Sequence, residues 1–272
     1  MRFPSDSFGA FGSGSLAPCG RAARRVDRLV TIVLAVVFVL MGATAAYALW
    51  DQQQVLDGTD TSQYKPGVGF GELMKKNADV CAWITVDGTN IDYPIVQGSD
   101  NFEYLEKDAL GEFSASGSIF LDSACSRNFD EPYEVVFGHH MDEGKMFGDL
   151  DKFLSKSFFK KHKSATLYLP KQTLELEVVA VIQADAYDGT IFSTPADSTR
   201  LQEVEAKLQK DAKHLRKGSL GKGSPATDGS GTTGQDQIIA LSTCADDGAN
   251  ARTIVMCRVV SRTAEDNSTV GK

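Results

Sequence analysis

The segment from Leu29 to Trp50, LVTIVLAVVFVLMGATAAYALW, holds 22 residues and no charge. At about 1.5 Å per helical residue it spans a hydrocarbon core of about 30 Å, so the chain first specifies a membrane helix and a division into two sides. Arg21, Arg24, Arg25 and Arg28 precede it against a single Asp27, whereas DQQQVLDGTDTSQ after it carries no Lys or Arg. The bias of basic residues toward the cytoplasm places residues 1–28 inside and everything beyond Trp50 outside, with Tyr47 and Trp50 at the outer interface. Ala45-Ala46-Tyr47-Ala48 also offers a cleavage-like spacing of small residues, the alternative being a signal peptide. The apolar run exceeds the ~7–15 residues usual in such signals, and both readings export the rest of the chain. The expected location is the cell membrane, single-pass, with an extracytoplasmic domain.

Beyond Trp50 the chain carries 23 basic and 34 acidic residues, a net charge of −11, which argues against nucleic acid as a partner. Cys81, Cys125, Cys244 and Cys257 lie in the exported part, Cys19 in the cytoplasmic segment. The exported four are spaced by 44, 119 and 13 residues without a CxxC, which matches neither a dense disulfide framework nor a zinc site. Residues 51–69 read as a polar, Gly-containing tether, 70–262 as one folded domain, and 263–272 as a polar tail.

Within the domain, Leu73, Met74, Asn77, Val80 and Cys81 repeat at helical spacing. The period then changes to that of strands: Asp87-Gly88 predicts a hairpin between AWITV and NIDYPIV, with Tyr93-Pro94 ending the second arm or placing it at an edge. Further strands are expected over Gly117–Cys125, Tyr133–Met141, Ser164–Pro170, Thr173–Tyr187, IIALST and TIVMCRVVSRT. Helices are expected over MFGDLDKFLSKSFFKKH and PADSTRLQEVEAKLQKDAKHLRKG, the latter carrying Leu201, Val204, Leu208 and Leu215 on one face. The Gly/Ser-rich stretch from Gly218 to Gly234 is expected to be mobile. About eight short strands with few long helices imply a mainly β fold, an antiparallel barrel or sandwich.

Four histidines are available for chemistry. His162 and His214 stand among lysines on helical faces, where a surface role is expected. His139 and His140 instead follow the apolar strand YEVVFG, and a histidine at a strand end can project into a cleft from a rigid support. Cys244 ends the apolar run IIALST just before the polar loop ADDGAN, at a strand mouth. Arg252 opens the next strand eight residues later. Alternation puts Arg252, Ile254, Met256 and Arg258 on one face and Thr253, Val255, Cys257 and Val259 on the other. An arginine beside Cys244 would favour the thiolate and could stabilise an oxyanion, and a nearby histidine could move the leaving group's proton.

These residues resemble the pattern of sortases, specifically class B: a histidine in a strand-end GH motif, here FGHHM with His139; a nucleophile in TLxTC, here ALSTC with Cys244; and an arginine opening the next strand, here ARTIVM with Arg252. CAWITVDGTNIDYPIVQGSDNFEYL, GSIFLD and GHHMDEGKMFGDL are similar to class B segments as well, over roughly Phe70 to Val260. Ala240 stands where the family usually has threonine, and the Gly218–Gly234 loop is longer than the family pattern. The resemblance implies an eight-stranded β-barrel with peripheral helices and a cysteine transpeptidase. Cys244 would cleave a C-terminal sorting signal of a secreted protein, form a thioacyl intermediate and pass it to an amine of the peptidoglycan precursor. His139 would be the proton carrier, Arg252 would hold the substrate backbone and the oxyanion, and Ser242 and Thr243 would be substrate contacts. No metal or organic cofactor is required. A pilin-polymerising enzyme using a lysine amine is the alternative within the family, and a non-catalytic surface-binding protein on the same scaffold is the alternative outside it.

Overall fold

The computed structural model describes residues 28–46, 62–67, 69–194, 198–226, 231, 234–244 and 251–264, in two compact units divided after Gln53. In the first, helix α1 (Arg28–Ala46, 19 residues, mean hydropathy 2.6) is long and apolar enough to cross a membrane. Its side chains are exposed along its whole length. The expectations about residues 1–27, Tyr47, Trp50, the tether up to residue 61 and residues 265–272 lie outside the described residues.

The second unit opens with helix α2 (Phe70–Lys76) and carries strands β1 (Val80–Val86), β2 (Asp92–Val96), β3 (Ile119–Leu121), β4 (Tyr133–Phe137), β5 (Ser164–Tyr168), β6 (Gln172–Asp185), β7 (His214–Leu215), β8 (Ile238–Cys244) and β9 (Ala251–Ala264). Neighbours run β5-β1-β2-β3-β4-β8-β9-β6, and β6 pairs back to β5, closing an eight-stranded barrel. The two-residue β7 stands outside that ring, on the half of β6 that β5 leaves free. The barrel is not purely antiparallel as expected: β2 pairs with β3, and β4 with β8, in parallel. Parallel neighbours need long crossovers, and the chain supplies them as the segments 97–118 and 138–237.

The interior is filled from every strand of the ring, among others by Ile84, Ile95, Leu121, Val136, Leu167, Leu176, Leu241 and Val255. Cys257 lies in this interior and Ile254 and Met256 in the outer cluster, so the face assignment on β9 holds. Outside the barrel, helix α5 (Ser198–Asp211) packs along β6, and its Leu201, Val204 and Leu208 join one apolar cluster with Ala180, Ile182, Ala240 and Met256. On another side, Tyr64, Phe70 and Leu73 cover Trp83 and Phe120.

Several local expectations shift. The first helix ends at Asn77, whose backbone is extended (φ −131°) and whose Nδ2 donates to Tyr104 Oη (2.9 Å) and the Ala109 carbonyl (3.1 Å); Val80 and Cys81 belong to β1. The Asp87-Gly88 turn joins β1 and β2 as expected, Gly88 taking φ +77°. Pro94 lies inside the β1–β2 ladder, but β3 begins to pair only at Ile95, so the missing N–H costs no bond there. The helix expected over 146–162 is broken by extended Ser155 into a 3-10 turn (Gly148–Leu154) and helix α3 (Lys156–Lys161). The last helix stops at Asp211, and His214 and Leu215 leave it to pair with Val181 and Ala180; residues 195–197 lie outside the described residues. His162 and His214 are half-buried rather than on open faces, bonded to Asp87 Oδ2 (2.9 Å) and the Leu154 carbonyl (2.8 Å). In the Gly/Ser-rich stretch, expected to be mobile, the Asp236 carboxylate accepts from the amides of Gly221 and Gly223, both at 2.7 Å.

Candidate active site

Three strands converge at one end of the barrel. The β4–β8 ladder, which pairs Phe137 with Ser242, continues one step further through the amide of Gly138, which donates to the Ser242 carbonyl (3.1 Å). On the other side of β8, Cys244 is the ladder partner of Arg252, and Arg252 is in turn opposite Ala184 on β6. The backbone therefore fixes position 244 beside Arg252; the Cys244 side chain and the loop 245–250 lie outside the described residues.

The two adjacent histidines part company. His139 Nε2 donates to the carbonyl of Leu105 (2.9 Å), while His140 Nε2 meets Asp151 Oδ2 (3.1 Å). The Phe147 amide donates to the His139 carbonyl (3.0 Å), so the turn after β4 is pinned at its base. Gly138 permits this packing: a Cβ there would stand 2.5 Å from Ile119 Cδ1 and 2.8 Å from the Phe147 ring.

His139 and Arg252 line the same cleft, of about 320 Å³. Its apolar wall is a row of rings, with Phe120 and Phe137 at 5.4 Å between centroids and Phe137 stacked on Phe192 at 6.0 Å. Phe192 ends helix α4 (Gly189–Phe192), whose first turn is capped by the Asp188 carboxylate, and Asp188 is tied to α5 by Lys207 (2.9 Å). The polar wall includes Asp122, 4% exposed, which accepts from Asn101 Nδ2 (3.0 Å) and the Ala124 amide (2.9 Å). An aromatic wall, one arginine and a buried carboxylate suit a peptide whose backbone carbonyl can be polarised while its side chains lie against the rings.

Ser242 and Thr243 are fully buried, and neither hydroxyl has a partner among the described residues. Thr243 is opposite Thr253, whose hydroxyl is likewise without a partner among those residues. Sequence reading missed the Leu105 carbonyl, because any residue supplies one. It also missed Phe120, Phe137 and Phe192, which belong to three elements far apart in the chain and give no local signal. Asn101 and Asp122 were within quoted segments, with no spacing that singled them out.

The sortase domain model matches residues 84–260. Among solved structures, a Streptococcus pyogenes class B sortase involved in pilus biogenesis is 38% identical, with 72% of this chain covering 100% of that one at a TM-score of 0.61. Sortase B of Clostridium perfringens is 32% identical, with 71% of this chain covering 100% of that one, also at 0.61. Sortase B of Listeria monocytogenes is 29% identical over 193 residues, 70% of this chain and 74% of that protein. A closed eight-stranded barrel, matched over more than two thirds of the chain by these proteins and over more than half of it by the domain model, shows that the chain belongs to the sortase family, as a cysteine transpeptidase of class B.

Proposed function

We propose that this protein cleaves a C-terminal sorting signal of secreted proteins at Cys244 and transfers the acyl group to an amine of the cell wall. The observation that carries the reading is the convergence of His139 and Arg252 on one cleft, with Cys244 the ladder neighbour of Arg252. In the first step the Cys244 sulfur bonds to the scissile carbonyl carbon and the C–N bond breaks, the nitrogen leaving with a proton from His139. In the second, an incoming amine attacks the thioester, gives its proton to His139 and expels the thiolate. Arg252 donates to the tetrahedral oxygen and favours the thiolate over the thiol. Ser242 lies on the Arg252 side of the β8–β9 ladder, two residues before Cys244, which supports its assignment as a substrate contact. Thr243, one residue on, alternates to the interior opposite Thr253, where it packs beneath the substrate face.

The apolar helix α1 fits a single-pass anchor with the N-terminus in the cytoplasm, which would hold the cleft near newly exported substrates and lipid-linked acceptors. The pilin-polymerising reading has one observation in its favour, the 38% identity to a class B sortase involved in pilus biogenesis. Both are tested by incubating the full chain in detergent with a library of sorting peptides and either a wall-type peptide amine or a lysine-bearing pilin fragment. Mass spectrometry should show a peptide–amine product, lost in Cys244→Ala. The absence of any cleaved peptide would sink the assignment.

A further inference from the structure

A backbone carbonyl only accepts hydrogen bonds. The 2.9 Å contact between His139 Nε2 and the Leu105 carbonyl therefore requires a proton on Nε2. In the neutral ring the lone pair is then on Nδ1, because the bond made by one ring nitrogen sets the state of the other. What brings Leu105 within reach is a tight apposition of two segments of the β2–β3 crossover. The 3-10 turn Glu103–Leu105 and the two residues after it lie against residues 114–118, fastened by the Ser118 amide to the Tyr104 carbonyl (3.0 Å), the Ser114 amide to the Glu106 carbonyl (2.9 Å) and the Ser118 hydroxyl to the Lys107 carbonyl (2.7 Å), while the Gly117 amide closes a turn onto the Ser114 carbonyl (3.0 Å).

Gly117 is at the centre of that apposition, at φ +58°. A Cβ on it would stand 2.5 Å from the Leu105 carbonyl oxygen, 2.8 Å from that of Tyr104 and 3.0 Å from His139 Cδ2. The two closest atoms are backbone, so neither can swing aside alone; a side chain here displaces the carbonyl, the imidazole or both.

We propose that Gly117 is a positioning residue: by leaving room for the Leu105 carbonyl against Nε2, it fixes the tautomer of His139 and makes Nδ1 the atom that carries the proton between leaving and entering amines. This rests on His139 being the proton carrier proposed above, and nothing in the sequence pattern around GSIFLD assigns Gly117 a part in the reaction.

The test compares Gly117→Ala with Gly111→Ala in the full chain. Gly111 lies in the same crossover at φ +87° with nothing within 4 Å of an added Cβ, so its substitution carries backbone strain without the contact. With a sorting peptide and an amine, Gly117→Ala should lower kcat by about 100-fold, the effect of a misplacement near 1 Å, while KM for the peptide and the activity of Gly111→Ala stay close to wild type. The ¹⁵N imidazole shifts of wild-type His139, assigned by their loss in His139→Asn, should show a protonated Nε2 and an unprotonated Nδ1 in the neutral ring. A neutral ring protonated on Nδ1, or equal kcat in the two alanine variants, overturns the proposal. The shift measurement decides it even if Gly117→Ala does not fold. Failure of the catalytic reading is seen separately, as a wild type that turns over no sorting peptide or a fully active His139→Asn.

Discussion

Burial sorts the cysteines at the residue scale. Cys81 and Cys257 are closed off in the barrel interior, and burial pushes both thiols up to about 12; burial pushes Cys125 higher still. At pH 8 a thiol with a pKa near 12 is ionised to about one part in 10⁴, and the thiolate is the reactive form. Brief iodoacetamide treatment of the folded protein at pH 8, followed by peptide mapping, should therefore leave the Cys81, Cys125 and Cys257 peptides unlabelled and label the Cys244 peptide. Labelling of Cys257 at a rate matching Cys244 would refute the division. The placement of Cys257 was legible because alternation along one strand fixes its face without knowledge of any neighbour. The tautomer of His139 was not, because it depends on a carbonyl 34 residues earlier in the chain.

At the element scale, α5 shows how a helix behind the cleft is held and how pH loosens it. Besides its apolar face, it presents Glu205 to Asp236, which already accepts two backbone amides and has Arg258 Nη1 at 3.9 Å. Burial first, and then the adjacent Asp236 charge with its side-chain hydrogen bond, raise the Glu205 pKa from 4.5 to about 7. The folded form thus binds this proton more tightly than the unfolded chain does. Below about pH 4.5 both states are protonated and the group's contribution is fully present; between about 4.5 and 7 stability falls as pH rises, and above 7 the loss is complete. Glu205→Gln keeps a donor for Asp236 and removes the titration, so its Tm relative to wild type should rise through that window and level off above pH 7. A difference in Tm that stays flat from pH 4 to 8 would contradict the shared proton. Glu134, buried and also raised, adds a slope of the same sign to both proteins and cancels in the comparison. The helical period made α5 and its apolar face legible, but not its end. Leu215 fits the period, yet it and His214 were claimed by the open edge of β6, a partner that no local pattern reveals.

For the whole molecule, strand content and the family motifs made the barrel legible, whereas its two parallel seams were not, since register between distant strands leaves no mark on either one alone. The boundary of the folded unit was similarly hidden. Residues 51–69 look like a tether by composition, yet Tyr64 is 8% exposed and lies with Phe70, Trp83 and Leu73 in one apolar cluster. Lys76 Nζ donates to the Tyr64 hydroxyl (2.6 Å), and the Gly69 amide donates to the Lys65 carbonyl (3.1 Å). Removing residues 62–69 takes Tyr64 from this cluster, which covers Trp83, whereas removing residues 1–61 keeps every described member of it. Loss of a buried tyrosine's packing costs about 3 kcal/mol by analogy with other large aromatic truncations, and a domain of this size loses roughly 2–4 °C of Tm per kcal/mol. A chain starting at residue 62 should therefore melt about 6–12 °C above one starting at residue 70 and match the second unit of the full chain in calorimetry. Equal melting temperatures for the two truncations would mean that the folded unit begins at α2 and that the segment before it is a tether throughout.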